Sequence, residues 1–266
     1  TKIFDIADIY VNDAFSVCHR KQSSIILPPN LKHLKNKSYA GLLLEKELES
    51  LKKINLSRTI CILAGAKPKD NLKLFNNKPR KIIAAGIFGQ MCLMSKGYRL
   101  GKENAKINKS VVRDYDNNLK KIRNKISKIK NSKLLMPEDY AFDKNGKRTE
   151  KPVSEIPEKY VIYDIGEKTI EKFKKEIEKS KIIYMKGPVG DCSEKGFCKG
   201  TKEILKTIAS MSGKGKLYSI IGGGHLSDAI RKSRISKDNF NHISLSGGAL
   251  LRYIAGEKLP GLEVLK

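Results

Sequence analysis

Long apolar runs are absent from this chain of 266 residues. No stretch approaches the roughly eighteen consecutive apolar residues that a membrane-spanning helix needs, and the sequence has no signal-peptide pattern. Internal repeats and low-complexity tracts are missing as well. We therefore expect a soluble, cytoplasmic protein that is long enough to bury a substantial core in one large domain or two smaller ones.

Cysteine is scarce, and its arrangement argues against the usual cysteine-based sites. The residues form an odd number, and no pair has the Cys-x-x-Cys spacing typical of zinc and redox motifs. Buried, unlinked thiols are therefore a better interpretation than a disulfide framework or a zinc site. This prediction covers Cys18, Cys61, Cys92, Cys192 and Cys198.

Acidic residues are also few, with 28 Asp and Glu against 54 Lys and Arg, which gives a formal charge of +26. Such a charge raises the question of nucleic acid binding. However, only ten of the basic residues are Arg, the Lys residues are spread along the chain, and no aromatic platform is visible. Nucleic acid binding therefore stays a minor alternative, and we expect the charge to attract anionic metabolites such as phosphate esters.

The densest positive segment is 101–133, which has eleven basic and three acidic residues. Its apolar residues Ile122, Ile126 and Ile129 recur at helical spacing. We interpret the segment as a helix with a solvated basic face, and a polyanion-binding patch is the alternative.

Short apolar runs alternate with helical patterns from Arg58 onward. Alternation of this kind predicts βαβ units, so we expect an α/β fold with a parallel sheet flanked by helices, similar to a Rossmann fold. Segment 143–157, which contains one glycine and two prolines, is predicted to be a surface loop. The predicted strands are TICILA (59–64), KIIAAG (81–86), KYVIYDI (159–165), KIIYM (181–185) and KLYSII (216–221), and the clearest helices are 167–179 and 200–211.

The first fifty residues have a different pattern. Ile9 and Val11 indicate a short strand that ends at Asn12-Asp13, and Leu44, Leu48 and Leu51 indicate a helix with a charged face. The chain begins on Thr within an apolar stretch, which we interpret as a cut end.

Two common nucleotide fingerprints are missing, since the chain has no G-x-x-x-x-G-K-[ST] loop and no G-x-G-x-x-G loop. Instead, glycines follow several predicted strands. A strand-to-helix turn exposes backbone N–H groups at the positive end of a helix, which forms an anion site without side chains. One such turn is more often structural, but four in one α/β domain favour phosphate binding. They are Gly65, Gly187 with Gly190, Gly222–Gly224, and Gly247 with Gly248.

An ordered series of motifs runs along nearly the whole chain. The motifs are YVNDAF (10–15) followed by His19-Arg20, YAGLLLEKELESL (39–51), ILAGAK (62–67), GPVG (187–190), GGG (222–224), HISLSGGA (242–249) and LPGLEVL (259–265). This series resembles phosphoglycerate kinase, in particular the archaeal branch of that family. The resemblance implies that much of the family's N-terminal domain is absent here. It divides the chain into the remnant of a second α/β domain that binds substrate at 1–38, an interdomain helix at 39–53 and a nucleotide-binding domain with a C-terminal segment at 54–266.

The resemblance implies a reversible glycolytic phosphoryl transfer between 1,3-bisphosphoglycerate and ADP, which gives 3-phosphoglycerate and ATP. Magnesium would accompany the nucleotide, no metal ligand is assigned on the chain, and a monomer is expected. By the same resemblance, His19 and Arg20 hold 3-phosphoglycerate, and Lys67 stabilises the phosphoryl group in transfer together with the backbone of Gly224, Gly247 and Gly248. The nucleotide-binding residues would be Gly65, Lys67, Asn71, Gly86, Pro188, Gly190, Gly222, Gly223, Gly224 and His225.

The sequence departs from the family pattern at several of these positions. Asn71 stands where many relatives have a second phosphate-binding Lys, and Ser193 follows GPVG where a Glu is usual. His225 replaces an Asp, as in the archaeal branch, and Ser246 replaces a glycine, which matters if that position needs a positive φ. A nucleotide-binding homologue without catalysis is therefore the main alternative, and we expect this chain alone to bind adenine nucleotide without turnover.

Overall fold

The computed structural model describes residues 2–75, 77–156 and 159–265. Its strands are β1 Tyr10–Asn12, β2 Ser38–Ala40, β3 Thr59–Leu63, β4 Lys81–Ala84, β5 Leu134–Leu135, β6 Asp139–Lys144, β7 Lys147–Pro152, β8 Ile162–Ile165, β9 Ile182–Lys186, β10 Tyr218–Gly222 and β11 His242–Ser244. Its helices are α1 Lys2–Asp5, α2 Ser23–Ile26, α3 Leu42–Lys52, α4 Pro68–Phe75, α5 Gly86–Ser95, α6 Lys102–Val111, α7 Tyr115–Ile126, α8 Glu167–Glu178, α9 Lys199–Gly213, α10 Gly224–Lys232, α11 Gly247–Ile254 and α12 Pro260–Glu263.

The chain forms two compact units, residues 1–54 with 244–266 and residues 55–243. The sequence-based division placed 244–266 in the nucleotide-binding part, whereas here these residues belong to the first unit. Packing explains this grouping. The ring of Tyr253 on α11 lies 6.3 Å from that of Phe15 in an edge-to-face arrangement, and the Gly261 N–H donates to the Cys18 carbonyl at 2.9 Å.

A parallel sheet forms the centre of the second unit, as the alternating pattern predicted. Its strand order is β11-β10-β9-β3-β4-β5, and the pairs β10–β9, β9–β3, β3–β4 and β4–β5 are parallel. Ile62, Ile83 and Ile183 are fully buried on these strands. The predicted helices at 167–179 and 200–211 are present as α8 and α9.

The strand order reverses between β3 and β9. From β3 the chain continues to β4 and β5 on one side, and from β9 it continues to β10 and β11 on the other. Ligands of open α/β sheets bind beyond the carboxyl ends of the strands at such a switch point. The turns after β3 and β9 carry Gly65 and Gly187, so two predicted glycine turns lie at this position.

An antiparallel sheet, of order β7-β6-β8, is inserted between β5 and β9. Two sequence predictions were therefore wrong. The KYVIYDI run gives β8 of this sheet and not a strand of the parallel sheet, and most of the supposed loop at 143–157 is a hairpin, although Pro157 lies outside the described residues. Asn145 and Gly146 both have positive φ, and such a turn matches the twist of the two strands it joins.

In the first unit, β1 and β2 form a parallel pair in which Tyr10 is opposite Ser38. The strand predicted around Val11 is present, but α3 begins at Leu42, because Ser38–Ala40 pair with β1. The Asp13 carboxylate accepts a hydrogen bond of 2.8 Å from the Leu44 N–H and so satisfies an amide in the first turn of α3.

The cysteine prediction is only partly correct. Cys18, Cys61 and Cys92 are buried free thiols, and burial raises the pKa of Cys61 to about 12. Cys192 and Cys198, however, are joined by a disulfide, with their Cα atoms 4.3 Å apart. The turn between them, with Gly196 at positive φ, brings together two cysteines that the sequence spacing did not link.

None of the helices in the described ranges is long and apolar enough to cross a membrane.

Candidate functional site

A cavity of about 500 Å³ lies at the carboxyl edge of the parallel sheet in the second unit. Residues directly after β3, β4 and β9 line it, and α10 adds the side chain of His225. Parallel strands end at the same edge of a sheet, so turns that are far apart in sequence meet there. We call this space the switch-point cavity. Five predicted residues line it: Gly65, Gly86, Pro188, Gly190 and His225.

The floor of the switch-point cavity consists of closely packed backbone. Gly86 has a φ of +55°, and a Cβ there would lie 2.9 Å from the Gly65 nitrogen and 3.1 Å from the Pro188 oxygen. A Cβ on Gly187 would lie 2.6 Å from the Ala64 oxygen. A side chain at either position would therefore push the three turns apart. These glycines are needed for the close approach of the turns.

The walls of the switch-point cavity are mainly apolar, with a few polar groups. Small-molecule sites in proteins typically have this composition. The apolar lining comes from α5, α6, β8 and the turn after β9, and it includes Ile87, Ile107, Val111, Ile162 and Val189.

Three buried amide side chains line the cavity, and none of them was predicted from the sequence. The Asn108 Nδ2 donates to the Gln90 Oε1 at 3.0 Å. Asn104 donates to the Leu100 and Tyr160 carbonyls, and its Oδ1 accepts from the Ile162 N–H at 2.7 Å. The signals in the sequence were a single Gln within the apolar helix GIFGQMCLM and two Asn residues at i, i+4 spacing.

Asp164 is a buried carboxyl group at the wall of the cavity that was also not predicted. It accepts hydrogen bonds from the Gly200 N–H at 2.9 Å and from the Arg148 Nη1 at 3.0 Å. Burial raises the pKa of Asp164 to about 6, and the hydrogen bond from Gly200 and the positive charge of Arg148 oppose this shift.

Lys67 is exposed and directly precedes α4. It lines a second cavity with Asp70 and Arg113, and Ala66 lines both cavities. Asn71 differs from the prediction, because it is fully buried and does not line either cavity in the described part of the chain. Its amide group donates to the Ala64 carbonyl at 3.2 Å and accepts from the Lys186 Nζ at 3.1 Å.

The triple glycine forms the transition from β10 to α10. Gly222 ends the strand, Gly223 has a φ of 108°, and Gly224 begins the helix. A Cβ on Gly224 would have no neighbour within 4 Å, so open space adjoins this turn. Of this motif and the next residue, only His225 lines the switch-point cavity within the residues that the structure describes.

Ser193 lines the cavity, and its N–H and hydroxyl both donate to the Asp191 carboxylate. The nearby disulfide closes the segment 192–198, so this wall is covalently constrained.

The first unit brings together the predicted acid-binding residues and one glycine turn. The His19 ring lies 3.4 Å from where a Cβ on Gly248 would be, and the exposed Arg20 donates from Nε to the His19 Nε2 at 3.5 Å. Gly247 begins α11, and Arg252 on that helix donates to the His19 carbonyl at 3.3 Å. An imidazole, a guanidinium and a helix N-terminus thus lie within one unit.

Ser246 is accommodated at the start of this turn. It has a φ of −90°, so the backbone conformation is one that serine adopts readily, and its N–H donates to the Ser244 hydroxyl at 3.0 Å. The positive φ that a glycine would have allowed is not needed here.

Magnesium would depend on ligands supplied by a substrate. The described residues contain no group of three or more His, Cys, Asp or Glu residues arranged to hold a metal ion. Asp191 and Asp228 line the switch-point cavity, but Asp228 is paired with Arg231 and Lys232. Mg²⁺ is usually held by one or two carboxylates together with substrate phosphates, so these residues do not form a metal site by themselves.

Comparisons with known proteins give one consistent result. The sequence profile of the family described as phosphoglycerate kinase matches residues 1–257. The chain is 36% identical over 276 residues to phosphoglycerate kinase from Methanothermus fervidus and 37% identical over 278 residues to that from Archaeoglobus fulgidus. All of the chain is covered in both cases, but only 63% and 64% of the relatives, so it spans less than two thirds of their length.

The fold is similar to solved structures of the same kind. Phosphoglycerate kinase from Pyrococcus horikoshii superposes with a TM-score of 0.86 at 30% identity, with 99% of this chain and 65% of that chain covered. The enzyme from Coxiella burnetii gives a TM-score of 0.80 at 26% identity, with 99% of this chain and 67% of that chain covered.

Proposed function

The chain belongs to the phosphoglycerate kinase family, and from this membership we propose that it serves reversible phosphoryl transfer between 1,3-bisphosphoglycerate and ADP. The products in this direction are 3-phosphoglycerate and ATP. The observation that carries the proposal is the switch-point cavity, whose floor is built from glycine turns after β3, β4 and β9. We further propose that the protein acts as a monomer in the cytoplasm.

The nucleotide would bind in the second unit. Its base and sugar would occupy the apolar part of the switch-point cavity, where the Gln90 and Asn108 amides offer hydrogen bonds. Its phosphates would extend past Ala66 to Lys67 and to the backbone at Gly222–Gly224, with His225 beside them. Magnesium would arrive with the nucleotide as part of the substrate and neutralise phosphate charge.

The acid substrate would bind in the first unit. The Arg20 guanidinium can donate two parallel hydrogen bonds to a carboxylate or a phosphate, and His19 lies beside it. The N-terminal amides of α11 at Gly247 and Gly248 would stabilise the phosphoryl group in transfer.

Transfer would be direct and in line, without a covalent enzyme intermediate. A loose transition state leaves negative charge on the equatorial oxygens, so the chain would contribute positioning and positive charge. Lys67 would supply that charge from the residue before α4.

Calorimetry tests the nucleotide site directly. We expect ADP to bind this chain with an affinity that changes little between about 50 and 200 mM salt, whereas diffuse polyanion contacts weaken steeply over that range. Heparin serves as the polyanion control. Absence of ADP binding would overturn the assignment of the cavity, and tight, salt-sensitive heparin binding alone would favour the nucleic acid alternative.

The acid site is tested by Arg20→Lys in the complete enzyme. Lys keeps the charge but loses the planar fork, so 3-phosphoglycerate should bind more weakly while ATP affinity stays unchanged. Equilibrium titration with each ligand measures both quantities. Equal losses for the two ligands would show that they do not use separate sites.

A further inference from the structure

Lys186 is a basic residue buried at the end of a central strand. It is the last residue of β9, directly before the Gly187-Pro188 turn, and it is 8% exposed. Lysine is rarely buried to this extent without a partner that compensates its charge. The sequence gives no signal for its burial, because Lys186 ends an apolar strand pattern, IIYMK.

The partners of Lys186 compensate its charge incompletely. The Nζ donates to the Asn71 Oδ1 at 3.1 Å, and it lies 3.6 Å from the Asp70 Oδ2, which is longer than a good hydrogen bond. The Asp70 side chain is 35% exposed, so its carboxylate is shared with solvent. Burial lowers the pKa of Lys186, the charge of Lys67 lowers it further, and Asp70 opposes both effects.

The position of this ammonium group connects it to the loop between the two cavities. Asn71, which accepts from Lys186, donates to the Ala64 carbonyl at 3.2 Å, and the Ala64 N–H donates to the Lys186 carbonyl at 2.8 Å. Lys186 is thus fixed to the start of the segment 64–67, whose residue Ala66 lines both cavities and whose Lys67 lines the second. The charges of Lys67 and Asp70 both act on Lys186, and Lys67 and Asp70 line the second cavity together.

We propose that Lys186 is a second phosphate-binding cation of this site, which selects nucleoside di- and triphosphates over nucleosides. The proposal rests on the proposed nucleotide function and deepens it. In the ligand-free chain, Asp70 partly neutralises the ammonium. A nucleotide phosphate replaces Asp70 as the partner of Lys186, and the released carboxylate turns into solvent. Asn71 keeps the Nζ aimed at the loop throughout.

The geometry also explains how Asn71 fits the site. A positive side chain at position 71 would lie 3.1 Å from the Lys186 ammonium, if it occupied the place of the Asn71 oxygen, and like charges at that separation repel. The neutral amide instead presents an acceptor to Lys186. The second positive charge of the site, beside that of Lys67, therefore comes from Lys186 on β9 and not from position 71.

Titration of the 266-residue chain with ADP and with adenosine tests the proposal. Lys186→Met removes the charge but keeps a long side chain of similar volume. We expect it to weaken ADP binding at least about tenfold, the effect of losing one charged contact, and to leave adenosine affinity unchanged. Lys186→Arg should restore part of the ADP affinity. Equal losses for both ligands, or no loss for either, would overturn the proposal.

Two further variants control the test. Lys81→Met removes a partly buried lysine that pairs with Glu176 at the start of β4, and it should change neither affinity. Asp70→Asn removes the carboxylate that competes with phosphate, so ADP should bind several-fold more tightly; weaker binding would contradict the proposal even if Lys186→Met does not fold. Failure of the unaltered chain to bind either ligand would instead overturn the proposed function itself.

Discussion

At the scale of single residues, the glycine turns were predictable and the buried polar groups were not. Gly65, Gly86 and Gly190 line the cavity. They could be predicted because a glycine that follows a strand is a signal in the local sequence. Gln90 and Asn108 gave no comparable signal, since a polar residue in a helix is usually exposed. Only the folded structure brings Asn108 on α6 and Gln90 on α5 within hydrogen-bonding distance inside the cavity.

Lys67 is the residue for which a kinetic prediction is sharpest. In the complete enzyme, Lys67→Ala should lower kcat by about tenfold to a thousandfold, because its charge acts mainly on the phosphoryl group in transit. Nucleotide affinity should change much less. Steady-state kinetics and ADP titration measure the two effects, and Lys78→Ala, at an exposed lysine beyond α4, is the matched control. Unchanged turnover would remove Lys67 from the mechanism.

The raised pKa of Asp164 predicts how the stability of the fold depends on pH. Its pKa is raised from 3.8 to about 6 in the folded chain. Between these pH values the folded state binds more protons than the unfolded state, so the contribution of Asp164 to stability is fully present below pH 3.8 and falls as the pH rises to 6. The shift of about two pH units corresponds to about 3 kcal/mol at most.

Urea unfolding of the unaltered chain and of Asp164→Asn between pH 4 and 7 measures this effect. The free energy of unfolding of the unaltered chain, relative to the variant, should fall up to pH 6 and stay level above it. Parallel pH curves for the two proteins would contradict the assignment of the raised pKa to Asp164.

At the scale of elements, the sequence predicted the parallel strands better than the insertion between them. Apolar runs such as TICIL are buried on both faces and are easy to identify. β7 has the sequence KRTEKP, which lacks the apolar alternation of a typical strand. Its pairing depends on the Asn145-Gly146 turn and on Arg148, which donates to the Ile165 carbonyl at 2.8 Å.

The packing of the turns predicts the effect of a small substitution. Gly86→Ala should lower the free energy of unfolding by about 1–3 kcal/mol, because it combines a positive φ with a contact of 2.9 Å to the Gly65 nitrogen. It should also weaken ADP binding, since the floor of the cavity must move. Gly224→Ala, where a Cβ meets nothing within 4 Å, should leave stability nearly unchanged. Urea unfolding distinguishes them, and equal stability of the two variants would contradict the packing argument.

At the scale of the whole molecule, the two units differ in the size of the sheet that holds each candidate site in place. The cavity of the second unit lies at the edge of a multi-stranded sheet, whereas Arg20 lies in the segment that connects the two short strands β1 and β2. Ile3, Ile6, Ile9, Val11 and Tyr39 are all more than half exposed in the first unit. A pair of three-residue strands gives a binding site little rigidity.

We therefore expect a polypeptide of these 266 residues to bind ADP without measurable turnover. Transfer requires the reacting atoms of the two substrates to lie about 3 Å apart in the correct orientation. The loss of one binding site removes this positioning, which can lower the activation barrier by roughly 7–11 kcal/mol. Calorimetry with ADP and a coupled assay on the same sample decide the matter. Robust turnover would show that the acid site functions without further support.

The discontinuous first unit also has a consequence for synthesis on the ribosome. Its two segments are separated by roughly 190 residues, which take about 10–40 s to translate at 5–20 residues per second. During that time Phe15 has no Tyr253 to pack against, while the second unit can already fold as it emerges. The nascent first segment therefore exposes apolar surface until α11 is made, and it is the part of the chain on which chaperones would act.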